Sequence, residues 1–250
     1  MKEFSVLAQY YDRFVGADYD EIINFIDENI KRYLPEASLV CDIGCGSGTV
    51  MLGLLEKGYD MIGIDGSIEM LSEAQNKKAA LSNADKALFL YQQLPDFELY
   101  GTVDCIVSTL DTVNYLSEPG DVERLFHWFF NYLNPQGLLI FDINTLYKYQ
   151  KILNGNCEVY EDEDIFLAWR SHFENDLCSH YVTVFKKDGD VYLRDDEEQL
   201  QRYYSELQIM SLLEKNHFEL LHIYDGYGRK LPEADTQRLT FVARKKDLGL

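Results

Sequence analysis

Ser38-Leu39-Val40-Cys41-Asp42-Ile43-Gly44-Cys45-Gly46-Ser47-Gly48-Thr49 is the stretch from which the architecture follows. A short apolar run ends in glycines at alternate positions, and a helical pattern from Thr49 to Lys57 begins at once. The order is strand, glycine loop, helix. Glycines there let a backbone approach a ligand closely, and the helix start leaves amide groups free to meet negative charge. A tight turn with no ligand would use the same glycines.

The alternation extends on both sides of this loop. Ile22, Ile23, Phe25, Ile26 and Ile30 recur at helical spacing over residues 19–33, and Pro35 follows as a stop. Downstream come strand Met61 to Ile64, helix Ile68 to Leu81, strands Ala87 to Tyr91 and Val103 to Ser108, helix Val122 to Leu133, and strand Leu138 to Ile143. Asn134-Pro135-Gln136-Gly137 reads as the turn into that strand. Strands separated by helices pair in parallel through right-handed crossovers, so this half is expected to be an α/β, Rossmann-like, doubly wound sheet.

After residue 156 the pattern changes to period two, in Cys157 to Tyr160, Ile165 to Phe173, His180 to Lys186 and Val191 to Arg194. Lys187-Asp188-Gly189-Asp190 supplies a hairpin turn. Residues 156–199 therefore read as an antiparallel β insertion after the fifth strand, and 1–155 with 200–250 as the core. The core resumes with a helix near Ser205 to Asn216, a strand Phe218 to Tyr224 and a closing strand Arg238 to Arg244.

Asp65 ends the second strand, 21 positions after Gly44, where an acidic side chain accepts hydrogen bonds from both hydroxyls of a ribose. The glycines are spaced GxGxG, whereas the dinucleotide fingerprint is GxGxxG with room for a pyrophosphate. S-adenosylmethionine (SAM) has ribose and adenine but no pyrophosphate, which favours it over NAD.

On these residues the chain resembles the class I SAM-dependent methyltransferases. Asp42 to Gly48 matches that family's first motif, Ile62-Gly63-Ile64-Asp65 its acidic strand end, and Asp104 to Asp111 its fourth-strand motif. Leu133-Asn134-Pro135-Gln136-Gly137-Leu138-Leu139 matches the approach to the fifth strand, with Gln136 in place of a glycine. A closer likeness is to a bacterial subgroup that includes small-molecule N-methyltransferases, some acting on amino sugars. Tyr10-Tyr11-Asp12, Leu110-Asp111-Thr112-Val113-Asn114-Tyr115-Leu116 and Phe141-Asp142-Ile143-Asn144-Thr145 carry it.

The resemblance implies a seven-stranded sheet whose last strand, Arg238 to Arg244, inserts antiparallel. It also implies that the N-terminal helix and the insertion cover an acceptor site, and that Asp42, Gly44, Gly46, Gly48, Asp65, Gly66, Gln93, Leu94 and Leu110 hold SAM. After the third strand the family commonly places an acidic residue near the adenine; here Tyr91-Gln92-Gln93-Leu94 offers an amide, whose carbonyl oxygen can accept from the adenine amino group.

Methyl transfer from a sulfonium requires mainly alignment of donor and acceptor and exclusion of water. Tyr11 is the candidate for contact with the sulfonium or the acceptor, because aromatic faces attract cations; Tyr10 and Tyr11 read equally as anchors of the N-terminal helix. Asp111, just past the fourth strand, is the candidate acceptor-site carboxylate, with a turn cap as its structural alternative. His172, His180, Trp169 and Tyr181 in the insertion either face the acceptor or pack the small sheet; His127, His217 and His222 read as structural.

The net charge of -20, with only short basic pairs such as Lys77-Lys78, Lys186-Lys187 and Arg229-Lys230, argues against nucleic acid and anionic membranes as partners. Acidic clusters at Glu161 to Asp164 and Asp195 to Glu198 read as solvated turns. No run approaches the roughly 20 apolar residues of a membrane span, and residues 1–11 lack the apolar core of a secretory signal. The five cysteines include no CxxC pair and read as reduced thiols, with no metal expected. Together with what the resemblance implies, these features lead to the expectation of a cytoplasmic enzyme, monomeric or homodimeric, methylating a nitrogen or oxygen of a small molecule. The rivals are a catalytically silent SAM-binding module, an NAD-dependent oxidoreductase and an aminopropyl transferase.

Overall fold

A computed structural model describes residues 7–14 and 16–249. Strand β1 (Leu39–Ile43) lies in parallel between β2 (Asp60–Asp65) and β4 (Val103–Ser108). β3 (Ala87–Tyr91) pairs in parallel outside β2, and β5 (Leu133–Asn144) outside β4. β11 (Arg238–Lys245) then runs antiparallel between β5 and β10 (Phe218–Asp225). The result is one seven-stranded sheet of order β10-β11-β5-β4-β1-β2-β3. The antiparallel closing strand is as expected.

Alternate residues of β1 go to opposite faces, and that splits the core in two. Val40 joins the cluster formed with α2 (Tyr19–Tyr33) and α3 (Thr49–Glu56), while Cys41 and Ile43 join the one formed with α5 (Asp121–Tyr132) and α6 (Glu206–Lys215). α2 buries Ile22, Ile23, Phe25, Ile26 and Ile30 on one stripe, each stabilising by about 1.5–3 kcal/mol. Asp18 starts that helix by accepting a bond from Glu21 N. Short α4 (Ile68–Lys78) follows β2 and is capped by Ser67.

A second, four-stranded antiparallel sheet is a meander of β6 (Cys157–Asp162), β7 (Ile165–Glu174), β8 (Leu177–Asp188) and β9 (Val191–Arg202). The short helix α1 (Tyr11–Phe14) belongs with it: Leu7 and Phe14 pack against Ile165, Leu167, Val182 and Val184. Arg13 also forms an ion pair with Asp162.

The second sheet extends to Arg202, beyond the expected boundary at residue 199, and Asp195 to Glu198 lie within β9 rather than in a turn. Charge misled here because the inward positions of β9 are themselves polar. Glu197, Gln199 and Gln201 are 4%, 1% and 2% exposed, and they accept bonds from Leu7 N, Tyr115 Oη and Tyr149 Oη respectively. Glu161 and Asp162 likewise fall on β6, leaving Glu163-Asp164 as the turn. β5 starts at Leu133 rather than Leu138. Val103 faces Leu133 and Cys105 faces Leu138, so Asn134 to Gly137 bulge out of a continuing strand.

Candidate active site

The glycine loop is pinned to the end of β2. Gly44 N and Cys45 N donate to Ile64 O, Gly46 N donates to Asp65 Oδ2 at 2.8 Å, and Ser67 N donates to Asp65 Oδ1 at 2.8 Å. A carboxylate offers about four lone-pair sites and the amides of Gly46, Gly66 and Ser67 take three, so Asp65 keeps room for a further bond from a ligand. Gly44 and Gly48 have φ of +73° and +76°. A Cβ on Gly48 would stand 2.9 Å from Ala74 Cβ, and one on Gly44 would stand 2.3 Å from Thr112 Cγ2. Both positions therefore demand glycine for conformation and for space.

Around this loop lies a cavity of about 440 Å³, walled by Asp42, Asp65, Gly66, Gln93, Leu94 and Leu110 among others. The structure thus brings the nine expected cofactor residues to one place, with Gly48 forming the start of α3 beside it. Gln93 Nε2 donates to Gly66 O at 2.7 Å, which engages the amide nitrogen with the protein and leaves its carbonyl oxygen as the group able to accept from a ligand. Leu110 has a positive φ of 55°, and its N–H donates to Asp142 Oδ2.

Asp42 is the electrostatic anomaly. Its side chain is buried on the cavity wall and Oδ1 has no hydrogen-bond partner. Burial, with the Asp65 charge adding to it, pushes the carboxyl up to about 7. Burial also raises Asp65, against the backbone N–H groups of Ser67, Gly46 and Gly66, which favour its charge. Two carboxylates at adjacent strand ends, one of them unsatisfied, suit a ligand that brings a cation and a diol.

The N-terminal segment covers this cavity through a residue that sequence reasoning treated only as part of a signature. Asp12 accepts bonds from Tyr19 Oη at 2.7 Å, Ser47 Oγ at 2.8 Å and Thr49 Oγ1 at 3.0 Å, and is paired with Lys77. Burial opposes its charge, but Lys77, Tyr19 and Ser47 outweigh this and hold the carboxyl below the usual range. Tyr11 and Tyr19 become part of the cavity wall in consequence.

A second cavity of about 480 Å³ opens between the core and the second sheet. Among the described residues the two cavities share only Tyr11, Leu110 and Tyr115. Tyr11 is half-buried at the junction; desolvation and the Asp111 charge raise its hydroxyl far above the ordinary value, so it stays protonated. Trp169 and His180 line the second cavity, while His172 and Tyr181 are exposed and lie outside it.

Asp111 reaches the second cavity with both oxygens engaged. Oδ1 is paired with Arg238 at 2.6 Å and Oδ2 accepts from Gln201 Nε2 at 2.6 Å. Burial alone would raise its carboxyl, but Arg238 and Lys148 outweigh it and lower it. A carboxylate so neutralised is a poor proton acceptor, so of the roles expected for an acceptor-site carboxylate the arrangement fits positioning better than proton transfer. Arg238 also pairs with the buried Asp142, which accepts Leu110 N, Asp111 N at 2.7 Å and Tyr227 Oη. Sequence reasoning missed Asp142 and Arg238 as site residues. A lone carboxylate inside the apolar run Leu138 to Ile143 was the available signal.

The chain matches the methyltransferase domain family model over residues 11–223. It is 33% identical over 242 residues to the methyltransferase YqeM of Bacillus subtilis, covering 95% of each chain. It is similar to a SAM-dependent methyltransferase crystal structure from Clostridium acetobutylicum, with TM-score 0.88, 32% identity, and 97% and 98% of the two chains covered. A sugar N-methyltransferase from Streptoalloteichus shares the fold at 20% identity, TM-score 0.79, and 96% and 92% coverage. With the glycine loop, the strand-end carboxylates and the sheet order already in place, these likenesses lead to one assignment: the chain belongs to the methyltransferase domain family and is a SAM-dependent methyltransferase.

Proposed function

We propose that this enzyme transfers a methyl group to a nitrogen or oxygen of a small molecule held in the second cavity. The observation that carries the reading is the meeting of two cavities at Tyr11, Leu110 and Tyr115. In this reading Asp65 takes the ribose hydroxyls, Gln93 and Leu94 flank the adenine, and Asp42 with the Leu110 turn faces the amino acid end. Gly44, Gly46, Gly48 and Gly66 leave room for the ligand. SAM supplies a methyl group already activated by the sulfonium charge.

The protein's own contribution is alignment and exclusion of water. Tyr11, half-buried and protonated, presents its ring or hydroxyl where donor and acceptor meet, and the Asp12 latch holds it there. Asp111 and Asp142 fix Arg238 and the turn after β4, which sets the shape of the junction. An amine acceptor would have to arrive neutral, and its lost proton has solvent as the simplest destination. Residues 157–202 serve as the acceptor-site cover, and a volume near 480 Å³ falls within the range of small-molecule sites. The free cysteines accord with a reducing, cytoplasmic setting.

The test is transfer of label from methyl-labelled SAM to pools of amines, hydroxylated metabolites and, as controls, RNA and protein. Labelled small-molecule product is expected. SAM binding with no transfer to any pool would favour a silent binding module, and label confined to RNA or protein would refute the acceptor class.

A further inference from the structure

One imidazole in the second cavity has a ring nitrogen that the fold leaves unused. His180 on β8 is 3% exposed, and its Nδ1 receives Trp169 Nε1–H at 3.1 Å and lies 2.8 Å from Ser171 Oγ. Acceptance of the indole N–H at Nδ1 places the proton of the neutral ring on Nε2. Nε2 is buried without a hydrogen-bond partner among the described residues. Burial disfavours the charged ring and outweighs Gln201 and Asp111, which favour it, so the neutral tautomer with its proton on Nε2 is the form the site holds.

Lys148 lines the same cavity from the π-helical turn Lys148–Leu153. Its ammonium donates to Asn144 Oδ1 at 2.9 Å, leaving two of its three donor protons without a partner given by the fold. The other cavity cation, Arg238, is already paired with Asp111 and Asp142. At the edge of the cavity the exposed carboxylates of Asp18, Glu21 and Glu158 oppose a polyanion such as a phosphorylated compound.

We infer that the acceptor is a carboxylate-bearing small molecule without phosphate, its carboxylate seated on His180 Nε2–H and the Lys148 ammonium. The inference rests on the second cavity being the acceptor site, as proposed above. Trp169 and Ser171 then serve as positioning residues that fix the imidazole tautomer. The two unsatisfied donors match the two oxygens of one carboxylate, and a neutral amide would return only one acceptor oxygen.

The experiment pairs amino and hydroxy acids with their carboxamides as acceptors for methyl-labelled SAM, using the full chain. An acid is expected to be methylated with kcat/KM at least about tenfold above its amide, since the charged contact is lost in the amide. Lys148→Met and His180→Phe should each raise KM for that acid by about tenfold or more. Lys148→Arg should restore part of the loss, and SAM affinity should stay unchanged in all three variants. The same acid should bind the protein saturated with S-adenosylhomocysteine and alter Trp169 fluorescence in a Trp128→Phe background.

Turnover of amides or acid-free amines at rates equal to the acids would overturn the inference while leaving the methyltransferase reading intact. So would an acid substrate whose KM is unmoved by Lys148→Met. Failure of every small-molecule pool, with SAM still bound, would instead defeat the acceptor-site reading on which it rests.

Discussion

With Asp42 facing the cationic end of SAM, as proposed above, the affinity should depend on pH in a way that can be calculated. In the ligand-free site its carboxyl titrates at about 7, because it is buried, lacks a partner for Oδ1 and lies near Asp65. SAM carries an ammonium and a sulfonium, so binding selects ionised Asp42. Protons then compete with the ligand. With Asp42 ionised throughout in the complex, the dissociation constant rises by about eightfold between pH 7.5 and pH 6.0, from (1 + 10)/(1 + 0.3), or roughly 1.2 kcal/mol. Isothermal titration at the two pH values, repeated in buffers of different ionisation enthalpy, reads both the affinity and the proton released. At pH 6.0 close to one proton, about 0.9, should leave on binding. Asp42→Asn should bind more weakly at pH 7.5 and lose the dependence. A flat affinity over this range, or a slope that survives in Asp42→Asn, would refute the assignment of the titrating group.

The same carboxyl predicts an opposite trend for the empty protein. A raised pKa means that the folded state holds a proton the unfolded chain has lost, so Asp42's contribution to stability falls as pH rises from about 4 to about 7. Asp42→Asn should flatten that fall, seen as a higher melting temperature than the parent at pH 8. Asp65→Ala should weaken SAM binding by at least about 1 kcal/mol, since ribose bonds are lost and Gly46 N and Ser67 N lose their acceptor; equal affinity by titration would remove it from the site. Asp12→Ala should release residues 7–14, raising amide exchange there and weakening SAM by about 1–3 kcal/mol, with the second sheet remaining protected. Gly48→Ala should destabilise by about 1–3 kcal/mol through strain at φ +76° and contact with Ala74, and an unchanged melting temperature would contradict the loop geometry.

The parts of this protein legible in its sequence are those governed by neighbours in the chain. The β1 run, the glycines, Asp65 and the order of helices and strands follow from local spacing, and all nine residues expected around the cofactor surround one cavity or open the helix beside it. Contacts across long separations were not legible. Asp12 meets Ser47, Thr49 and Lys77 at 35, 37 and 65 positions away, and Asp111 meets Arg238 at 127. The extent of β9 was hidden for another reason. Its inward side is Glu197, Gln199 and Gln201, so the alternation that marks a half-buried strand has no hydrophobic member to reveal it.

The narrow border between the cavities has an evolutionary corollary. Among the described residues the first cavity is walled wholly by ones from Tyr11 to Leu116, whereas Glu158, Tyr160, Trp169, Ser171 and His180 contribute only to the second. With the second cavity as the acceptor site, as proposed, mutations at those five positions would remodel the acceptor wall and leave the lining of the first cavity in place. Tyr11, Leu110 and Tyr115 are the exceptions, since any change there is felt by both ligands at once. A library for redirecting this enzyme belongs on β6 to β8 and should hold those three positions constant.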